Sequence, residues 1–163
     1  MLLVRYGRVP EVARVRADRR RERGERVVVR TQRGSELAQV LDTLKTPPPD
    51  EDSEMVVLRD ATPEDQFVAT GLATRAADEF PAWESRIREW GLDLQLVDLE
   101  WTLDRSKQIL YVLNERGPEC TKLAIQAAAA GLGIVEVQPV SASGLVELPK
   151  AGGCGTGSCG CSQ

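Results

Sequence analysis

The sequence predicts an α+β protein: a small β-barrel-like unit at the N-terminus, then a ferredoxin-like β-α-β-β-α-β domain. Three observations carry that expectation. Residues 1–46 divide into four or five short β-branched runs separated by turns and one charged loop. Residues 55–140 alternate strand-like and helix-like patterns in the ferredoxin order. Between them, residues 47–54 form a proline-stiffened, acidic linker, and 141–163 are a Gly/Cys-rich tail.

In the first unit, Leu2–Tyr6 and Val9–Val15 are strand candidates joined at Gly7. Arg16–Glu25 is too charged for a core and reads as an exposed loop. Val27–Thr31 is β-branched. Gln32–Ser35 is a turn in which Gly34 is free to take positive φ, and Glu36–Leu44 returns as a strand. Such four- or five-stranded units suggest a small SH3-like or open barrel.

Met55–Arg59 is the first strand of the second unit. Thr62 is a helix N-cap, Pro63 suits the first helical position, and Glu64 and Asp65 complement the positive helix end. Phe67, Leu72, Ala76, Phe80, Trp83, Ile87 and Trp90 recur at helical steps up to Gly91, a stop signal. Pro81 predicts a kink or two abutting helices. The stripe is core in the simpler reading; if exposed, Trp83 and Trp90 are the partner-binding residues.

Leu92–Asn114 reads as a hairpin. Val97, Leu99, Trp101 and Leu103 alternate with Asp98, Glu100 and Thr102. Upstream, Leu92, Leu94 and Leu96 have the opposite phase, so the strand starts near Leu96 or a bulge resets it. Asp104–Ser106 is the turn. Ile109–Leu113 is apolar on both faces and belongs in the middle of a sheet. Pro118–Ala130 is a helix with Leu123, Ala124, Ala127 and Ala128 inward and Gly131 and Gly133 ending it. Ile134–Val140 is the last strand, its end demoted to an edge by Pro139.

Composition narrows the function. The chain has 163 residues, 42% hydrophobic, and no apolar run near the ~20 residues of a membrane span. The N-terminal apolar run is too short for a signal peptide, so the expected location is cytoplasmic. The net charge is −4, yet residues 1–33 hold eleven Arg against four acidic residues. That asymmetry is either a solvated loop or a basic face for an anionic partner, with Arg19, Arg20, Arg21 and Arg23 as nucleic-acid candidates. There is no histidine, which removes the commonest general base. No GxxxxGK occurs, and the GxGxxG match at 155–160 lies in the tail, where by sequence it follows no strand and opens no helix, so it is not read as a phosphate loop. Asp98 and Glu100 share a strand face, and Lys107 is placed to pair with one across the hairpin. Paired carboxylates can serve acid–base chemistry, but exposed charge pairing is the simpler reading.

Cys154, Cys159 and Cys161 form C-x4-C-x-C among glycines. Soft thiolates suit zinc, copper(I) or an iron–sulfur cluster. Three ligands leave one tetrahedral position for Cys120, Glu147 or a partner's residue. The alternatives are a tail with free thiols, or a disulfide. Cys120 alone is more often a small buried apolar residue.

RDATPED (59–65) and VDLEWTLDRSKQILYVL (97–113) resemble the bacterial YaaT/RicT family, which carries the polymerase-suppressor-type C-terminal domain. Its pattern R-x-A-T-x-E-D is followed by a long helix and L-V-D-V-E-Y-T-F-D-x-S-K-L-I-F-Y-F. Arg59, Ala61, Thr62, Glu64, Asp65, Val97, Asp98, Glu100, Thr102, Asp104, Ser106, Lys107 and Tyr111 match it. VVVRTQRGSELAQVL resembles the strand–turn–strand that precedes this domain, so the likeness covers about residues 1–140. The resemblance implies a non-enzymatic cytoplasmic adaptor. It implies assembly with small helical partner proteins, assistance to a ribonuclease in RNA processing, a role in developmental decisions such as sporulation, and capacity for an iron–sulfur cluster. Two departures stand out. Cys120 replaces a usual aromatic, while Thr121, Ile134 and Gln138 replace common arginines. The family's C-G-R-x-L-C-C-like segment is replaced by this chain's own cysteine tail.

Overall fold

A computed structural model describes residues 1–44, 54–114, 117–141 and 144–146, and among these it is α+β, with two sheets and two helices. Leu2–Tyr6 (β1), Glu11–Val15 (β2), Arg26–Arg30 (β3), Ser35–Thr43 (β4) and Val56–Asp60 (β5) make a five-stranded sheet in the order β2-β1-β4-β3-β5. All of its strand pairs are antiparallel. One face is apolar: Leu2, Val4, Tyr6, Val15, Val27, Val29, Ala38, Val40 and Val57 are buried together. Just beyond β2, Arg16 pairs in parallel with Val56. Its N–H donates to the Met55 carbonyl at 3.0 Å, and its carbonyl accepts from Val57 N–H at 2.8 Å.

The placement of β5 departs from the ferredoxin expectation. It pairs with β3 in the first sheet, not with the strands of the second unit. The first strand of a ferredoxin-like sheet is central, paired along both edges and packed under the helices on one face. In β5 only Val57 is buried, while Leu58, Arg59 and Asp60 are exposed, a pattern that suits an edge. The central slot is also closed, because the third and last strands of the expected order hydrogen-bond directly to each other.

The helix Pro63–Glu89 (α1) starts with the predicted cap. Thr62 accepts from Asp65 N–H and Asp65 accepts from Thr62 N–H, a reciprocal capping box. Pro81 lies inside this one helix, which is not split into two. Its position faces solvent, where water can satisfy the freed carbonyl, while Leu72, Ala76, Trp83 and Ile87 hold the opposite face down. Phe67 is 80% exposed, so the apolar stripe begins at Leu72. Five residues on a helix turn by about 140°, which takes Phe67 off that line. At the far end Gly91 has φ +63°, and Leu92 N–H closes back onto the Ile87 carbonyl at 3.1 Å, a Schellman-type stop.

Gln95–Trp101 (β6), Gln108–Leu113 (β7), Val135–Ser141 (β8) and Gly144–Leu145 (β9) form the second sheet in that order. A bulge resets the hairpin phase. Leu96 faces Val112 and Asp98 faces Tyr111, leaving Val97 unpaired and 48% exposed. Leu96 and Leu99 therefore both enter the core. β7 is buried along Gln108–Val112 and sits between antiparallel β6 and parallel β8, as its two-sided apolarity requires. The helix Pro118–Ala129 (α2) supplies the β7–β8 crossover and buries Leu123 and Ala127. Ala128, expected inward, is exposed, because Leu123 and Ala127 alone occupy the centre of the packed stripe. Pro139 does not end at an open edge: its carbonyl accepts from Val146 N–H at 3.0 Å beside β9.

Candidate functional site

The richest polar cluster lies where the two sheets meet. Tyr111 stands in a strand buried on both faces, and a buried phenol needs a partner. That partner comes from the β3–β4 turn. Arg33, 7% exposed, donates from Nη1 to Tyr111 Oη at 2.8 Å. Its Nε and Nη2 grip both oxygens of buried Glu36, each at 2.8 Å. Nη1 also lies 3.1 Å from Glu11 Oε1, and the guanidinium stacks 5.1 Å from the Tyr6 ring centroid. Tyr111 Oη in turn donates to Glu100. Glu100 accepts the Arg8 N–H at 2.7 Å, and Arg8 Nε donates to Asp98 at 2.9 Å.

The β1–β2 turn is shaped to allow this. Gly7 has φ +79°, and a Cβ there would sit 2.9 Å from Arg33 Nη2. Burial pushes the Glu36 carboxyl up, Arg33 pulls it back, and Glu100 repels it further. Burial and the Glu100 carboxylate push the Tyr111 hydroxyl up, so it remains a neutral donor.

A second junction interlocks two turns. Asp104 accepts from Thr102 Oγ1 and Ser106 Oγ, both at 2.7 Å, from Ser106 N–H at 3.1 Å, and from Ser35 N–H of the first sheet at 3.0 Å. Leu103 N–H donates to the Ser35 carbonyl at 2.8 Å. Burial opposes ionisation of Asp104, but these hydroxyl and amide donors outweigh it and hold the carboxyl well below the usual range. Gly34 packs here at φ +144°, where a Cβ would meet Asp104 and Thr102 at 3.3 Å. Elsewhere, Arg59 clamps Asp65 of the capping box with Nη1 and Nη2. Glu79 of α1 accepts from Trp101 Nε1 at 2.9 Å and Gln108 Nε2 at 2.7 Å, and Gln108 accepts from Trp83 Nε1 at 3.1 Å.

Between α1, β4, β6 and the β1–β2 turn lies a cleft of about 240 Å³. Leu37, Ala69, Leu72, Ala73 and Leu103 are among its apolar lining, and Arg8, Glu36 and Glu100 are its polar end. Its charged groups are bonded within the cluster just described.

The sequence-predicted residues fall in different places. Trp83 is 2% exposed and meets Trp90 edge-on at 6.5 Å. Trp83 is therefore core, and Trp90 is half-buried against it. The cause is the apolar stripe's docking on β6 and β7. Arg21 is buried against Asp18 and Asp60, at 3.0 and 2.7 Å, and Arg19 also pairs with Asp60. The loop, expected to be exposed, thus spends two of its arginines on ion pairs within the fold, while Arg20 and Arg23 stay exposed. Lys107 pairs with Glu136 across the parallel β7–β8 ladder at 2.8 Å, not with Asp98 or Glu100. Those two turn toward Arg8 because the bulge at Val97 resets their strand.

Cys120 is half-buried on α2, and burial, with Glu119 beside it, pushes its thiol up. Its side chain packs against the second core. Cys154, Cys159, Cys161 and Glu147 lie outside the described residues, so the metal-site expectation rests on sequence.

Sequence reading alone misses Arg33, Glu36, Arg8, Glu11 and Tyr6 as one cluster. The available signal is Tyr111, a hydroxyl in a strand apolar on both faces. No family model, no curated protein and no solved structure matches this chain.

Proposed function

We propose that the protein is a non-enzymatic cytoplasmic adaptor of the YaaT/RicT type. In this reading the first sheet, with Arg16 bridging to β5, acts as a small barrel-like unit. That unit and the second sheet together present α1 to small helical partner proteins, and the assembly assists a ribonuclease in RNA processing. The observation that carries the proposal is where the motif residues are spent. Arg59, Thr62 and Asp65 cap α1. Asp98, Glu100, Asp104 and Tyr111 bond to the first sheet or its turns. Residues used to lock two sheets and one helix end suit a rigid platform better than a reacting centre.

Tagged chain expressed in its native cell tests this. Recovery of both a small helical protein and a ribonuclease, stable to washing, supports the adaptor; recovery of neither rejects it. The cysteine tail is proposed as an iron–sulfur or zinc site held by Cys154, Cys159 and Cys161. Elemental analysis after anaerobic purification decides that point. Stoichiometric metal lost on changing the three to Ser supports the tail, and metal retained by that variant excludes it.

A further inference from the structure

We propose that the outward face of the first sheet, around Arg5, Gln39 and Arg26, binds the phosphodiester backbone of single-stranded nucleic acid. The inward residues of β1 and β3 are Leu2, Val4, Tyr6, Val27 and Val29. Alternation therefore puts Arg5 and Arg26 on the opposite face. Both register against Gln39 of the strand between them. One row across β1, β4 and β3 thus reads Arg, Gln, Arg, its guanidinium-bearing positions two strand spacings, or roughly 10 Å, apart.

The row is dominated by donors, two guanidinium groups and one amide NH₂. Arg5 Nη2 donates to Gln39 Oε1 at 3.1 Å. That bond engages the amide oxygen and leaves the Gln39 NH₂ as a donor. Arg5, Gln39 and Arg26 line a shallow groove of about 190 Å³ with Gly7, Leu37 and Ala38, and no carboxylate lines it. A guanidinium fork matches phosphate oxygens. The buried Tyr6 offers no open ring, so stacking is lacking and binding through this groove depends little on base identity. Two cationic positions set apart on a sheet suit successive phosphates of a chain better than one small anion. By contrast, the adjoining loop has Arg19 and Arg21 neutralised by Asp60 and Asp18.

The test uses the full chain and a labelled 20-nucleotide oligouridylate, titrated at several salt concentrations. Wild type binds, and log affinity falls linearly with log salt. The Arg5→Gln/Arg26→Gln variant binds about tenfold more weakly at low salt, and its slope is flatter by about 1.4, from two lost contacts at ~0.7 each on a single strand. Arg5→Lys/Arg26→Lys retains most of the affinity by keeping the charge, and an oligocytidylate behaves like the oligouridylate. Both side chains being exposed, the melting temperature reports that each variant is folded. Absent binding by wild type overturns the proposal, as does wild-type affinity in the Gln variant. It is also overturned if the loss instead follows Arg20→Gln/Arg23→Gln, or if the sheet variant loses binding only to phosphatidylserine vesicles. The assay needs only the purified chain, so it stands apart from the adaptor proposal.

Discussion

Replacing Arg33 with Met removes the centre of the inter-sheet cluster while keeping an unbranched apolar stem. Arg33 is 7% exposed and bonds Glu36 twice and Tyr111 once, with Glu11 at 3.1 Å. Met leaves Glu36, itself 5% exposed, as a buried carboxylate whose remaining side-chain partner is Thr31 Oγ1. Removing one member of a buried ion pair costs about 3–5 kcal/mol. At roughly 2–4 °C per kcal/mol for a chain of this size, Tm falls by about 6–20 °C. Urea unfolding gives the same quantity through its midpoint. The companion variant Arg33→Met/Glu36→Leu removes the orphaned charge and recovers much of the loss, because an ion pair replaced whole by apolar groups is near neutral. pH adds a second signature. Burial already raises the Glu36 carboxyl, and without Arg33 it rises further. A carboxyl raised in the folded state destabilises above its folded pKa and ceases to do so below its unfolded value. The gap between Arg33→Met and wild type therefore narrows as pH falls from 8 toward 4. A loss under about 1 kcal/mol, the range of an exposed pair, would refute the buried-clamp reasoning. So would a gap that widens on acidification.

Glu79→Ala strips the carboxylate shared by Trp101, Gln108 and Arg75, and is expected to cost about 1–3 kcal/mol in urea unfolding; Glu79→Gln retains part of it. Gly7→Ala forces a non-glycine residue to φ +79° and a Cβ to 2.9 Å from Arg33 Nη2, so about 1–2 kcal/mol is lost from backbone strain alone, read as a lower thermal midpoint. Asp104 has a depressed folded pKa, so its stabilisation is complete above the unfolded value near 3.9 and fades as pH falls through the folded value. Asp104→Asn is accordingly expected to lose most relative to wild type at neutral pH, with the gap narrowing steadily as pH falls below about 4, measured by equilibrium unfolding across pH 2–7.

The amino-acid sequence by itself determined the local elements, because their causes are local. Thr62, Pro63 and Asp65 start α1, Gly91 ends it, and the two-sided apolarity of Ile109–Val112 places β7 inside a sheet. The phase change near Leu96 is visible too, and the structure resolves it as a bulge at Val97 and not as a strand start. What only the tertiary structure decided is pairing between distant segments. β5 follows a linker and precedes a helix, which reads as the start of a new domain, yet its single buried valine completes the first core. Arg33 and Tyr111 are separated by 78 positions. Arg5 and Arg26 share a face only because β4 runs between their strands. Periodicity reports which face of a segment is apolar. It carries no information on which other segment will cover that face, and the inter-sheet clamp and the arginine row both depend on that choice.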